Sequence, residues 1–143
     1  MSEQDRLRLR SQLTRHEGLR LKPYLDSVGV LTIGVGRNLR DVGISEDEAN
    51  YLLDNDLDRA TTGVLNAFPW VLDLSDVRKA VLVNMCFNLG IGGLAGFVRT
   101  LESIEDGNYG LAAEQMLESK WARQVGARAV ELSEQMRTGE WQS

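Results

Sequence analysis

Apolar positions along this chain change their spacing twice. From Ser2 to about His16 they recur at helical intervals, with Leu9 and Leu13 four residues apart and Leu7 flanking them. Ser2 supplies a capping hydroxyl, Asp5 follows three residues later, and Gly18 is placed to end the helix in a left-handed conformation. Residues 19–36 then alternate. Leu19 and Leu21 interleave with Arg20 and Lys22, Pro23 marks an edge strand or a break, and Asp26-Ser27-Val28-Gly29 is turn chemistry. Leu31, Ile33 and Val35 interleave with Thr32, Gly34 and Gly36, which predicts a second strand. On this reading Leu31, Ile33 and Val35 face a small core. Thr32 faces the other way, flanked only by glycines, as suits the wall of a cleft.

Helical spacing returns at Ser45-Glu46-Asp47-Glu48, a capping box. Ala49, Leu52, Leu53, Leu57, Ala60 and Val64 form the stripe of the long helix it opens, and Asp54, Asp56 and Asp58 lie on its solvated side. From Ala67 onward the pattern is helical throughout. Ser75 and Asp76 start a segment that is apolar almost all round, from Val77 to Leu89, which predicts a central buried helix broken at Gly90-Ile91-Gly92-Gly93. Phe97, Leu101 and Ile104 mark the next helix, ended by Asp106-Gly107-Asn108, and Leu111, Ala112, Met116 and Leu117 another. A last helix runs from about Ala127 to Met136 and stops near Gly139. The class is α+β and mostly helical. A small lobe (about 14–58) carries a β-hairpin or three-stranded sheet. A larger all-helical lobe (about 59–143, with the N-terminal helix 2–13) is joined to it by the long helix.

Composition narrows the chemistry. The chain has 143 residues, one domain's worth, and its 43% apolar content supports a core while 26% charged residues argue against disorder. One histidine and one cysteine argue against a zinc site, and no cofactor is expected. Cys86, inside an apolar run, reads as a small buried hydrophobe, and His16 as a helix-surface residue. The longest apolar run is too short to span a bilayer, and the hydrophilic N-terminus lacks the apolar stretch of a signal peptide. The expectation is synthesis in the cytoplasm, no stable membrane insertion and no self-export. Net charge is −5, unevenly spread: residues 1–40 hold eight Arg or Lys against four acids, and the remainder eight against seventeen. The basic segment suits steering of an anionic polymer, or is an ordinary solvated face. An acidic chain without a stacking motif is not a nucleic-acid binder. Gly34-Val35-Gly36 lacks the third glycine of a dinucleotide fingerprint.

Within this frame Glu17, Asp26 and Thr32 carry the candidate chemistry. Breaking an acetal needs a proton on the leaving oxygen and a nucleophile or water on the opposite face. A neutral acid and an ionised carboxylate must coexist, in environments that push their pKa values apart. Glu17, between a helix end and a strand, is the residue expected to be partly buried and protonated. Asp26, in a polar turn, is the one expected to stay ionised, and Thr32 to share a water with it.

These residues, as Glu17-Gly18-Leu19-Arg20-Leu21-Lys22, Tyr24, Asp26 and Thr32-Ile33-Gly34-Val35-Gly36, closely resemble the phage lysozyme (endolysin, muramidase) family. Further matches are Val77-Arg78, Asn84-Met85 with Phe87, Ala95-Gly96-Phe97, Ser119 with Trp121, and Arg137-Thr138-Gly139 with Trp141, so the resemblance covers nearly the whole chain. It implies a lysozyme-like fold and hydrolysis of the β-1,4 bond between N-acetylmuramic acid and N-acetylglucosamine in peptidoglycan. By position, Glu17 is the general acid, Asp26 positions or deprotonates the water, and Thr32 helps to hold it. Arg128 matches the arginine that pairs with the catalytic glutamate. Phe87 matches a substrate contact by identity, and Asn38, Asn88, Thr100 and Gln115 occupy contact positions with changed residue types. The implied partner is the peptidoglycan glycan strand, met by a monomer after another agent opens the way to the wall.

Three departures stand out. The family's histidine after the Gly-x-Gly is Arg37 here, the loop from Asn38 to Gly43 is short, and the chain is acidic. Trp70, Trp121 and Trp141 read as core or lobe-packing residues rather than sugar platforms. An inverting mechanism is expected, with carboxyls about 6.5–9.5 Å apart rather than the 5–5.5 Å of retaining enzymes. The alternatives are a lytic transglycosylase, which needs the glutamate but no water-holding pair, and a non-catalytic wall-binding module.

Overall fold

A computed structural model describes residues 1–142, and the chain divides into two units, Met1–Tyr51 and Leu52 onward. The described residues form seven α-helices and one three-stranded antiparallel sheet, the mostly helical α+β class expected.

The first unit opens with α1 (Glu3–Glu17), capped by Ser2, whose hydroxyl accepts the Asp5 N–H at 3.1 Å. Gly18 ends it with φ at 80°, donating its N–H to the Thr14 carbonyl at 2.8 Å. β1 (Arg20–Leu25), β2 (Leu31–Gly34) and β3 (Arg37–Asn38) follow, in the order β1-β2-β3. Tyr24 pairs with Thr32 and Leu25 with Leu31, and the register shifts between Arg20 and Tyr24, where Pro23 has no N–H to offer. Because β1 is an edge strand, the proline is tolerated.

The phase of β2 is the reverse of the one expected. Val30 and Thr32 are buried, at 8% and 4% exposure, whereas Leu31 and Val35 stand about two-fifths exposed. Alternation sets the period of a strand, not which face is covered. Burying Thr32 costs little because its hydroxyl donates to the Val30 carbonyl at 2.8 Å.

α2 (Glu46–Ala67) begins with the capping box. The Glu48 N–H donates to Ser45 Oγ at 3.1 Å, and the Ser45 N–H donates back to Glu48 Oε1 at 2.8 Å. The division between units falls inside this helix. Its stripe is less buried than the spacing predicts, since Leu52, Leu53 and Leu57 are exposed and only Val64 is fully enclosed. In the second unit the core reaches α2 only through Ala60, Val64 and Leu65, and Leu53 and Leu57 line a surface depression instead.

A 3₁₀ turn (Pro69–Asp73) leads to α3 (Asp76–Ala95), capped by Ser75 and broken at Gly90, as its glycine cluster predicts. α4 (Val98–Glu105), α5 (Tyr109–Glu118), α6 (Lys120–Val125) and α7 (Ala127–Thr138) complete the unit. Val81, Leu82 and Met85 of α3 are fully buried with Ile104, Met116, Leu132 and Met136. Arg78 ties the unit together. Its Nε donates to the Met136 carbonyl at 2.8 Å and its guanidinium lies 3.6 Å from the Tyr109 ring centre. Gly139, left-handed at φ 71°, leaves the room it needs, because a Cβ there would stand 3.0 Å from that guanidinium. Trp121 is buried and Trp70 packs against the core, as expected. Trp141 is not a packing residue: it follows the Gly139 stop and is 67% exposed. Among the described residues no single helix is long and apolar enough to cross a membrane.

Candidate active site

The first unit holds all three residues of the candidate triplet. Glu17 is the last residue of α1, and its carboxylate lies over the turn between β2 and β3. A Cβ at Gly36 would stand 3.2 Å from Glu17 Oε2, so a side chain there would have to push the carboxylate aside by a few tenths of an ångström, and its φ of 70° favours glycine independently. Glu17 is exposed, not partly buried as expected from sequence, and Asp26 is half-buried in its turn. The reason is local: α1 stops at Gly18, and Glu17 projects over a glycine turn that has no bulk to cover it.

Asp26 is fixed by its own turn. Its Oδ1 accepts the N–H groups of Val28 at 3.0 Å and Val30 at 2.8 Å, and its backbone N–H donates to the Val30 carbonyl at 2.9 Å. One carboxylate oxygen is thereby locked, which leaves Oδ2 for a water or a substrate. Thr32 pairs with Tyr24, two residues before Asp26, so Asp26 and Thr32 are diagonal neighbours on one face of the hairpin, a spacing of about 7 Å between such Cα atoms. The hydroxyl proton of Thr32 is engaged by the Val30 carbonyl, and its oxygen is left to accept. Along β2 the order is Asp26 beside one end, Thr32 within, and Glu17 over the turn at the other end.

The substituted Arg37 makes an ion pair of its own. Its two terminal nitrogens each meet a Glu48 oxygen at 2.8 Å, and Nη1 also donates to the Gly43 carbonyl at 3.1 Å. This guanidinium, with help from the Ser45 N–H, holds the Glu48 carboxyl down at a pKa of about 2. Asn38 is engaged in the short loop: Oδ1 accepts the Asp41 N–H at 2.9 Å and Nδ2 donates to the Asp41 carboxylate at 3.1 Å. Arg40, chiefly, and Asn38 lower the Asp41 pKa.

The other candidate residues lie in the second unit. Arg128 is held by Asn84, its Nε and Nη2 donating to Asn84 Oδ1 at 3.0 and 2.7 Å. Arg128 and Phe87 share a depression of about 310 Å³ with Asn84, Leu53 and Leu57. Thr100 and Gln115 share another of about 380 Å³, beside Phe97 and Ser119. Thr100 is buried, and the Gln115 carbonyl accepts the Ser103 hydroxyl at 2.9 Å. Asn88 accepts the indole N–H of Trp121 at 2.8 Å, and Trp121 meets Phe97 edge to face. Sequence reasoning missed Asn84 as the residue that orients Arg128. The signal was present, because Asn84, Phe87 and Asn88 are the exposed face of an otherwise apolar helix. Cys86 is buried, as expected, and burial pushes its thiol pKa up.

Comparison with known proteins agrees with the residue pattern. The phage lysozyme family matches residues 14–138. "Probable T4-type lysozyme 1" of Dictyostelium discoideum is 26% identical over 92% of this chain and 94% of its own length. The "Endolysin" of Salmonella phage P22 is 30% identical over 75% of this chain and 77% of its own. The "Pre-baseplate central spike protein Gp5" of Enterobacteria phage T4 is 28% identical over 92% of this chain, which corresponds to only 28% of that protein. With matching sequence running from α1 through α7, this chain belongs to the phage lysozyme family.

Proposed function

We propose that this protein is a muramidase that hydrolyses the β-1,4 bond between N-acetylmuramic acid and N-acetylglucosamine in peptidoglycan, with inversion at the anomeric carbon. Family membership supports the lysozyme-type glycosidase activity. The hydrogen-bond pattern around Asp26 and Thr32 supports the mechanism, and it is the observation that carries this reading. A water between them gives one proton to Asp26 Oδ2 and hydrogen-bonds through the other to Thr32 Oγ1, which has already donated its own proton to Val30. The water oxygen then turns its lone pairs to the sugar. Glu17 protonates the leaving oxygen from the far end of β2. The spread of the two carboxyls along β2 favours the wider spacing that admits a water, as inversion requires.

In this reading Arg128 and Phe87, and separately Thr100 and Gln115, line the path of the glycan, and Asn38 and Asn88 shape it through the neighbours they hold. The protein acts as a monomer on the host wall, reaching it from the cytoplasm during lysis, in keeping with relatives named endolysins.

The test is digestion of purified peptidoglycan with analysis of the new chain ends. Reducing muramic acid ends, first formed in the inverted configuration, are expected. Anhydro-muramyl ends indicate a transglycosylase, a retained anomer rejects the inverting route, and binding by folded protein without new ends indicates a wall-binding module.

A further inference from the structure

The loop between β3 and α2 is closed by one carboxylate. Glu48 takes both prongs of Arg37 at 2.8 Å and the Ser45 N–H at 2.8 Å. Arg37 spans to the Gly43 carbonyl as well, so a single guanidinium fastens the start of the loop to its end and to the first turn of α2. Only a planar fork makes this set of bonds; a lysine ammonium supplies the charge without the geometry.

What Arg37 fastens matters for the chemistry. It follows Gly36, the residue beside the Glu17 carboxylate, where a Cβ would stand 3.2 Å from Glu17 Oε2. It pairs with Ile33, and the next residue, Asn38, pairs with Thr32. A shift of the Arg37 backbone therefore moves the seat of Glu17 and the strand beside Thr32 together.

We propose that Arg37 is a positioning residue for glycoside cleavage: its two-pronged ion pair with Glu48 holds the β2–β3 turn beneath Glu17 and keeps β3 in register with Thr32. This rests on the reading of Glu17 as the general acid. Misplacement of a reacting group by a fraction of an ångström acts on turnover more than on binding, which gives the role a kinetic signature that a purely structural pair lacks.

The experiment measures kcat, KM and the pH–rate profile on soluble, peptide-free glycan strands for Arg37→Gln, Arg37→Lys and Glu48→Gln, each checked for folding by circular dichroism. Arg59→Gln, which removes the exposed Arg59–Asp56 pair on α2, serves as control. Arg37→Gln and Glu48→Gln are expected to lower kcat about tenfold with KM changed less than about twofold, and to displace the pH–rate profile. Arg37→Lys recovers part of the loss, and Arg59→Gln matches the wild type. Should Arg37→Gln fail to fold, Arg37→Lys gives the reading, its kcat falling below that of Arg59→Gln at unchanged KM. Wild-type kcat in folded Arg37→Gln or, in its place, folded Arg37→Lys overturns the proposal, as does a loss carried by KM alone. Glu17→Gln separates the two layers: retained turnover there defeats the reading of the acid, whereas an inactive Glu17→Gln beside a fully active Arg37→Gln defeats the positioning role alone.

Discussion

The two units are held by different forces. The second is closed by packing: side chains from α2, α3, α4, α5 and α7 fill a continuous apolar core, with Val64, Leu82, Met85, Ile104, Met116 and Met136 fully enclosed. The first buries a single apolar side chain, Val30, and α1 buries none. Its order comes from directional bonds: the Asp26 turn, the Thr32 hydroxyl on Val30, the capping box and the Arg37–Glu48 pair. The three residues assigned to proton transfer and water binding all sit in this sparsely packed unit. Stability and chemistry are therefore separable. Damage to the core should appear chiefly as unfolding, and damage to the turns chiefly as loss of turnover, with a smaller change in melting.

That separation is open to attack. The largest effect is expected from Glu17→Gln, which should lower turnover about 10³-fold. Its unfolding free energy should change by less than about 0.5 kcal/mol, as for other exposed side chains. Reducing-end release and thermal melting read the two quantities, and a destabilised Glu17→Gln breaks the comparison. Met116→Ala is the mirror case. Removing that fully buried side chain from α5 should destabilise by about 2–5 kcal/mol, while the folded fraction keeps near-normal turnover. Denaturant melts paired with activity per folded molecule decide it.

Gly36→Ala sits between the two. The left-handed backbone should cost about 1–2 kcal/mol. The new methyl, 3.2 Å from the Glu17 oxygen, should displace the acid and depress turnover beyond what the stability loss explains. Normal activity per folded molecule would show that Glu17 does not work from this seat.

The smallest effect is one of pH. The Glu48 carboxyl falls from 4.5 to about 2 on folding, so its contribution is complete above pH 4.5 and disappears as pH falls through 2. The melting difference between wild type and Glu48→Gln should be constant from neutral pH down to about 5 and close progressively below that. A difference that persists at pH 2 would mean that Glu48 stabilises by packing instead of charge.

Much of this was legible in the sequence, where a local rule decides. Ser45 and Glu48 announce a capping box by their spacing, Gly90 breaks a helix because its backbone must turn positive, and Gly139 ends α7 for the same reason. Family membership was legible through the motif around Glu17, Asp26 and Thr32, and the roles proposed for those three await the variants above. The phase of β2 was not, because Leu31 and Thr32 fit either face of a two-residue repeat and only the surroundings choose. The short α6 was hidden for a similar reason: six residues capped by Ser119 and ended at Gly126 are too few to show a period. Arg37 with Glu48, and Asn84 with Arg128, are partners 11 and 44 residues apart, and no periodicity connects such positions.

Arg78 on α3 has one further implication. The carbonyls it caps belong to Met136 and Arg137, 58 and 59 residues downstream. During synthesis the guanidinium waits without its acceptors while the intervening helices emerge, with only the Tyr109 ring to settle on. α7 supplies those acceptors. Closure of the helical unit is thus a late, long-range event, and a ribosome stalled ahead of α7 would carry a nascent chain whose central helix is still unlatched.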